Sequence, residues 1–136
     1  EEHGKLVDVL LPDYNAPNNF GGFEFIKAKY SDNQNMKLGE TSTTVHCVTV
    51  DSFHEHVHLM KIDVEGMEEC VLKGAAQVIS ESRPVCWIET MKSGEEPIRS
   101  FFDQFRYRVI SRGANVIAAP KEHLSNLAFL EMFPKT

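Results

Sequence analysis

The alternation of apolar and polar positions divides the chain into short strands and two crossover helices. Lys5 to Leu11 (KLVDVLL) is rich in Val and Leu and reads as a strand that Pro12 ends. Asp13 to Gly22 is dense in Asn, Pro and Gly and reads as a loop. Phe23 to Lys27 alternates as a half-buried strand does. Lys29 to Thr43 is polar and predicts an exposed connection, and Val45 to Val50 predicts a strand before a turn at Asp51. From Val57 the pattern is more regular. Val57 to Ile62 predicts a strand. Glu65 to Lys73 predicts a helix with Met67, Cys70 and Val71 on one face, Gly74 a cap or kink, and Ala75 to Ser82 its continuation. After Pro84, Val85 to Ile88 is an unbroken apolar run, expected of a strand covered on both faces. Ser93 and Glu96 have the spacing of a capping box. Behind them Ile98, Phe101, Phe102 and Phe105 recur at i, i+3, i+4 and i+7, a core-facing helical stripe. Tyr107 to Ile110 and Val116 to Ala119 predict strands about a Gly113-Ala114-Asn115 turn, and Leu127 to Met132 a last short segment.

Strand, helix and buried strand in that order form a βαβ unit, which is parallel and right-handed. The expected class is therefore α/β. It is one domain over residues 1–136 with a βαβαβ core at 57–119, a mostly parallel sheet with two βα crossovers, and an antiparallel C-terminal hairpin. The 136 residues suit a single core. At 42% apolar and 25% charged the chain has ordinary globular usage, which excludes disorder. A net charge of −6 and the lack of any Lys/Arg run argue against a nucleic-acid partner. No apolar run approaches the roughly 20 residues that span a bilayer, so no membrane partner is expected. The acidic start gives no sign of a signal peptide. Cys47, Cys70 and Cys86 form an odd set without zinc spacing, which favours reduced thiols and a cytoplasmic setting.

In an open α/β sheet, ligands bind outside the carboxyl ends of the strands. Two strand ends carry acids. Lys61-Ile62-Asp63-Val64-Glu65-Gly66 turns from strand to helix, and Trp87-Ile88-Glu89-Thr90 ends the next strand. On neighbouring strands, Asp63, Glu65 and Glu89 converge on one rim. Like charges held close raise one another's pKa, which suits a proton acceptor near neutrality. A structural reading stands beside this: Asp63 capping the helix, Glu65 favouring its N-terminus, and Glu89 solvated.

Leu59 to Glu68 (LMKIDVEGME), Val71-Leu72-Lys73-Gly74-Ala75, Pro84-Val85 and Ile88-Glu89 resemble, in order and spacing, the signature of FkbM-type methyltransferases. That pattern is a strand ending K-I-D-V-E-G, a helix reading E-x-x-V-L-x-G-A, and a strand reading P-x-x-x-x-E. Asn19 to Phe25, Cys47 to Phe53 and Tyr107-Arg108-Val109 resemble further segments of the family more weakly. The resemblance implies a Rossmann-like class I methyltransferase that uses S-adenosylmethionine. It would act on a hydroxyl of a small molecule, a carbohydrate or secondary metabolite, by in-line displacement. It places Asp63 beside the methyl donor, and Glu65 and Glu89 at the substrate hydroxyl or as base. The region of Asn19 falls near the substrate mouth.

The family's glycine-rich V-D-V-G-A-N-x-G turn and its ribose-holding E-P dipeptide are not among these residues. Arg112 to Val116 repeats only the letters G-A-N, between two late strands, and reads as a hairpin. The fold is thus expected to be incomplete, the C-terminal part of a methyltransferase. By itself the chain should be inactive and bind cofactor weakly or not at all. An uncovered sheet face or edge should favour a homo-oligomer. Two alternatives remain: a non-catalytic assembly module derived from the fold, and a sugar- or metal-binding domain using the acidic rim. No metal site is assigned. The run His54-Glu55-His56-Val57-His58 would put three imidazoles on one side only if extended, and hard carboxylates at the rim would suit magnesium.

Overall fold

The computed structural model describes residues 3–19 and 38–125. Strands β1 (Leu6–Pro12) and β2 (Leu38–His46) pair antiparallel as a two-stranded ribbon. The strand expected at Val45 to Val50 thus lies earlier, inside the stretch read as an exposed connection. Val50–Phe53 is a 3-10 turn instead. The cause is local. Thr41, Thr43, Thr44 and Val45 are β-branched and favour strand, but the ribbon is solvent-facing, so its polar side chains hide the pattern. Thr44 Oγ1 donates to Asp8 Oδ1 across it at 2.6 Å. The strands expected at Phe23 to Lys27 and Leu127 to Met132 lie outside the described residues.

The second sheet has the order β3 (Leu59–Ile62), β4 (Val85–Glu89), β6 (Asn115–Pro120), β5 (Tyr107–Arg112). β3 and β4 are parallel, with Ile62 beside Ile88, while β6 is antiparallel to both β4 and β5. The expectation of a mostly parallel sheet therefore needs correction: β3, β4 and β5 share a direction, but one ladder of three is parallel. β6 inserts between β4 and β5 because its run Val116–Pro120 is buried throughout and takes the central place. The β5–β6 turn is a two-residue hairpin, Gly113-Ala114, with φ 60° at the glycine, as a type II′ turn requires.

Three short α-helices, α1 (Glu68–Lys73), α2 (Ala76–Ser82) and α3 (Glu96–Asp103), and a 3-10 turn at Lys121–Ser125 complete the described elements. Leu72, Ile79, Ile98 and Phe102 meet Ile62, Cys86, Ile88 and Val116 in one core. α2 is capped from a distance: Asp51 accepts from the N–H groups of Gln77 (3.1 Å) and Val78 (2.9 Å). The Ser93–Glu96 capping box does not form. Glu95 stands at the N-cap and turns its carboxylate to Arg99 (2.7 Å) and Ser111 (2.8 Å) instead. Leu59 (66% exposed) and Trp87 (38%) lie on the sheet face away from Ile62 and Ile88. Among the described residues β4 is thus covered on one face, not on the two that its unbroken apolar run predicts. No described helix is long and apolar enough to cross a membrane.

One polar latch closes the end of the sheet where β4 begins. Arg83 donates to both Glu122 oxygens (2.8 and 3.1 Å) and to the Phe105 carbonyl, and its guanidinium lies 4.6 Å from the Tyr107 ring centroid. The Arg83 hydrogen bonds hold the Glu122 carboxyl down to about 2. A depressed folded-state value means that the contribution is complete above the ordinary value of 4.5 and is lost as pH falls towards 2. Glu122→Gln should therefore lower Tm at pH 7, and the gap to the parent should close between pH 4.5 and 2. Parallel thermal melts across that range measure it; a gap independent of pH would refute the role.

Candidate functional site

The parallel pairing of Ile62 with Ile88 brings the carboxyl ends of β3 and β4 together, with Asp63 next after β3 and Glu89 ending β4. The Asp63 carboxylate is partly exposed and pairs with Lys61 Nζ at 2.9 Å. It caps no helix, since α1 starts only at Glu68 and its N-cap Met67 makes no side-chain cap. Glu65 is likewise not in the helix. It sits in a turn closed by Met67 N–H donating to the Val64 carbonyl at 3.2 Å. Both central residues have positive φ, 53° at Glu65 and 97° at Gly66, the pattern of a type I′ turn. Gly66 accepts this at little cost, whereas a left-handed Glu65 costs about 1–2 kcal/mol.

Two contacts oppose that cost. Lys92, in the β4–α3 loop, pairs with Glu65 Oε2 at 2.7 Å and so bridges the two loops over the rim. A partly exposed pair contributes up to about 1 kcal/mol, which does not suffice by itself. The second contact is Glu68, which is fully buried. Its Oε1 accepts from the N–H groups of Val64 (3.3 Å) and Gly66 (3.2 Å), and its Oε2 is buried without a hydrogen bond. Bonds to a charged acceptor contribute about 1.5–3 kcal/mol each, the lower end suiting these lengths, so Glu68 decides the turn. Residue-by-residue reading assigned Glu68 no role, because an acid in a first helical turn ordinarily faces water. The available signal was Gly66, since a turn of positive-φ residues leaves inward N–H groups that need an acceptor.

Glu89 completes the rim. Its Oε1 accepts from the Met91 N–H at 2.9 Å. Burial, first of all, pushes its carboxyl above the ordinary carboxylate value; the Met91 bond opposes this, and the charges of Glu68, Asp63 and Glu65 add to it. The expected mutual repulsion is present but is not the main cause. The strand end is fixed by Thr90, whose N–H (2.8 Å) and hydroxyl (3.1 Å) both donate to the Ala114 carbonyl, and by Trp87 Nε1 donating to Asn115 Oδ1 at 3.0 Å.

Asn19, the other residue expected at a substrate mouth, is exposed at the end of the loop after β1. Among the described residues no hydrogen bond or ion pair joins it to the rim. In that loop Asn15 N–H bonds Asp13 Oδ1 and Asn18 Nδ2 bonds the Asp13 carbonyl, which is turn chemistry. His56 and His58 stack at 4.7 Å, and among the described residues no three His, Cys, Asp or Glu side chains are arranged to hold a metal ion. A cleft of about 570 Å³ lined by Arg83, Arg106, Lys121 and Glu122 sits at the opposite end of the sheet and holds none of the rim carboxylates.

Glu68→Ala removes both turn bonds and leaves a void, and should cost about 3 kcal/mol in denaturant unfolding. Glu68→Gln keeps the side-chain volume and an acceptor at Oε1 and should cost less; equal losses would mean that only the charge of the carboxylate matters. No curated protein and no solved structure matches the chain. The family model of the methyltransferase FkbM domain matches residues 11–113, more than half of the chain, and takes in the whole rim. The chain belongs to the FkbM methyltransferase domain family.

Proposed function

We propose that the acidic rim is the proton-accepting and charge-balancing side of an S-adenosylmethionine-dependent O-methyltransferase site, acting on a hydroxyl of a carbohydrate or secondary metabolite. The observation that carries this is Glu89: a strand-end carboxylate held by one peptide N–H, raised above its ordinary value by burial and by the charges of Glu68, Asp63 and Glu65. The rim fits the cofactor's cationic end, since a sulfonium and an α-amino group both call for negative charge nearby. When bound, that cofactor supplies an electrophilic methyl group. Asp63, next to β3, would lie on the cofactor side. Glu65, steadied by Lys92, would orient the acceptor hydroxyl. Glu89 would take the hydroxyl proton at Oε2, the oxygen that Met91 does not engage. Positioning of the hydroxyl in line with the methyl then supplies much of the acceleration. The glycine-rich cradle expected of the family is absent from these 136 residues, so the rim by itself is proposed as insufficient for turnover. The free Cys47, Cys70 and Cys86 suit a cytoplasmic setting.

Methyl transfer by the full gene product from labelled S-adenosylmethionine to sugars and polyols tests the reading. Glu89→Gln should reduce kcat on the order of 10²–10⁴-fold with KM little changed. The base form is the carboxylate, so activity should rise with pH through a midpoint above the ordinary value of 4.5. Glu68→Gln removes one of the charges that hold Glu89 up and should move that midpoint down. Full turnover in Glu89→Gln would reassign the base, and no transfer to any hydroxyl would remove the reading.

A further inference from the structure

A groove of about 310 Å³ runs along α1, and two of its lining residues are cysteines. One wall is the extended segment Cys47 to Val50 after β2. The other is Met67, Cys70, Val71 and Gly74, one face of α1. The walls touch where Thr49 packs on Gly74: a Cβ on that glycine would lie 3.3 Å from Thr49 Cγ2. Asp51 N–H then donates to the Gly74 carbonyl at 2.9 Å, so the two walls run side by side. Thr49 has extended backbone, φ −86° and ψ 150°. Cys47, two residues before Thr49, lines the same groove. One helical turn back from Gly74 is Cys70, whose carbonyl accepts from the Gly74 N–H at 3.1 Å. Two residues back on one wall meets one turn back on the other.

We propose that Cys47 and Cys70 are a facing dithiol that a peroxide oxidises to a reversible intrachain disulfide. Cys70 is exposed and Cys47 half-buried, so both are reachable. Cys86 is not: it is wholly buried, and burial pushes its thiol up to about 12. The Cys70 sulfur attacks one peroxide oxygen, the O–O bond breaks, and sulfenic acid and water form. The Cys47 thiolate then attacks that sulfur, the S–O bond breaks, and the oxygen leaves as a second water with the proton given up by Cys47. Two thiols and one hydrogen peroxide give one disulfide and two waters. A dithiol restores the reduced pair. The link ties the exit of β2 to α1, the helix whose Glu68 holds the rim turn.

The test is intact-mass analysis and peptide mapping of the chain after a small excess of hydrogen peroxide at low protein concentration. The expected product is lighter by two hydrogens, carries a Cys47–Cys70 cross-linked peptide, keeps Cys86 free, and reverts with dithiothreitol. Its Tm should rise on the order of 10 °C, as closing a loop of this length predicts. Cys86→Ser should change none of this, whereas Cys47→Ser and Cys70→Ser should each abolish the mass loss and the Tm rise. A product that is a disulfide-linked dimer, a cross-link involving Cys86, or independent oxygen addition at Cys47 and Cys70 would overturn the proposal.

Discussion

The parallel register of β3 against β4 is the constraint on which the rim depends. Because Ile62 lies beside Ile88, the next residue on each strand is an acid, and both emerge at the same end of the sheet. A slip of one residue would move Ile62 and Ile88 out of the core and rotate every side chain to the opposite face. Their burial therefore fixes the position of Asp63 and Glu89 as firmly as it fixes the core. The antiparallel β6 extends this control, since its pairing sets Asn115 beside Glu89 and lets the hairpin carbonyl of Ala114 hold Thr90.

On this frame the loops do the finer work. The turn at Val64–Met67 carries a left-handed glutamate that its own ion pair does not fully offset. The buried Glu68 carboxylate, bonded to two peptide N–H groups, supplies the difference. A buried charge is itself costly, and here a single group serves the turn and also raises the potential at Glu89. Stability and chemistry are thus coupled through one side chain.

The βαβ middle was legible in the sequence because its apolar positions are dense and periodic, although among the described residues Leu59 and Trp87 leave one sheet face open. The run Val85–Ile88 is a strand, and Ala75, Val78, Ile79, Ile98 and Phe102 are buried as the pattern puts them. α1, however, buries Glu68 and Leu72 in place of the expected face of Met67, Cys70 and Val71, and Cys70 is exposed. What escaped was exposed or non-local. β2 is a threonine-rich strand whose polarity masks its propensity, and β6 takes its place through burial that only the assembled sheet reveals. Ser93 and Glu96 had the spacing of a capping box, but Glu95 is drawn to Arg99 and Ser111, partners brought close by the fold. At the site, the three acids were visible as strand ends and turns. Glu68 was visible only as a letter in the family pattern, since its burial follows from a turn conformation that spacing does not report.

The lysines complete the logic of the rim. Asp63 has Lys61 at 2.9 Å and Glu65 has Lys92 at 2.7 Å, so each of these acids is balanced by a cation, one from the adjoining strand and one from the facing loop. Glu89 has a neutral peptide N–H in the same role, within reach of three negative charges and partly withdrawn from water. A neutral donor steadies a carboxylate without cancelling its charge, and burial raises the Glu89 carboxyl above its ordinary value, so its surroundings favour taking up a proton.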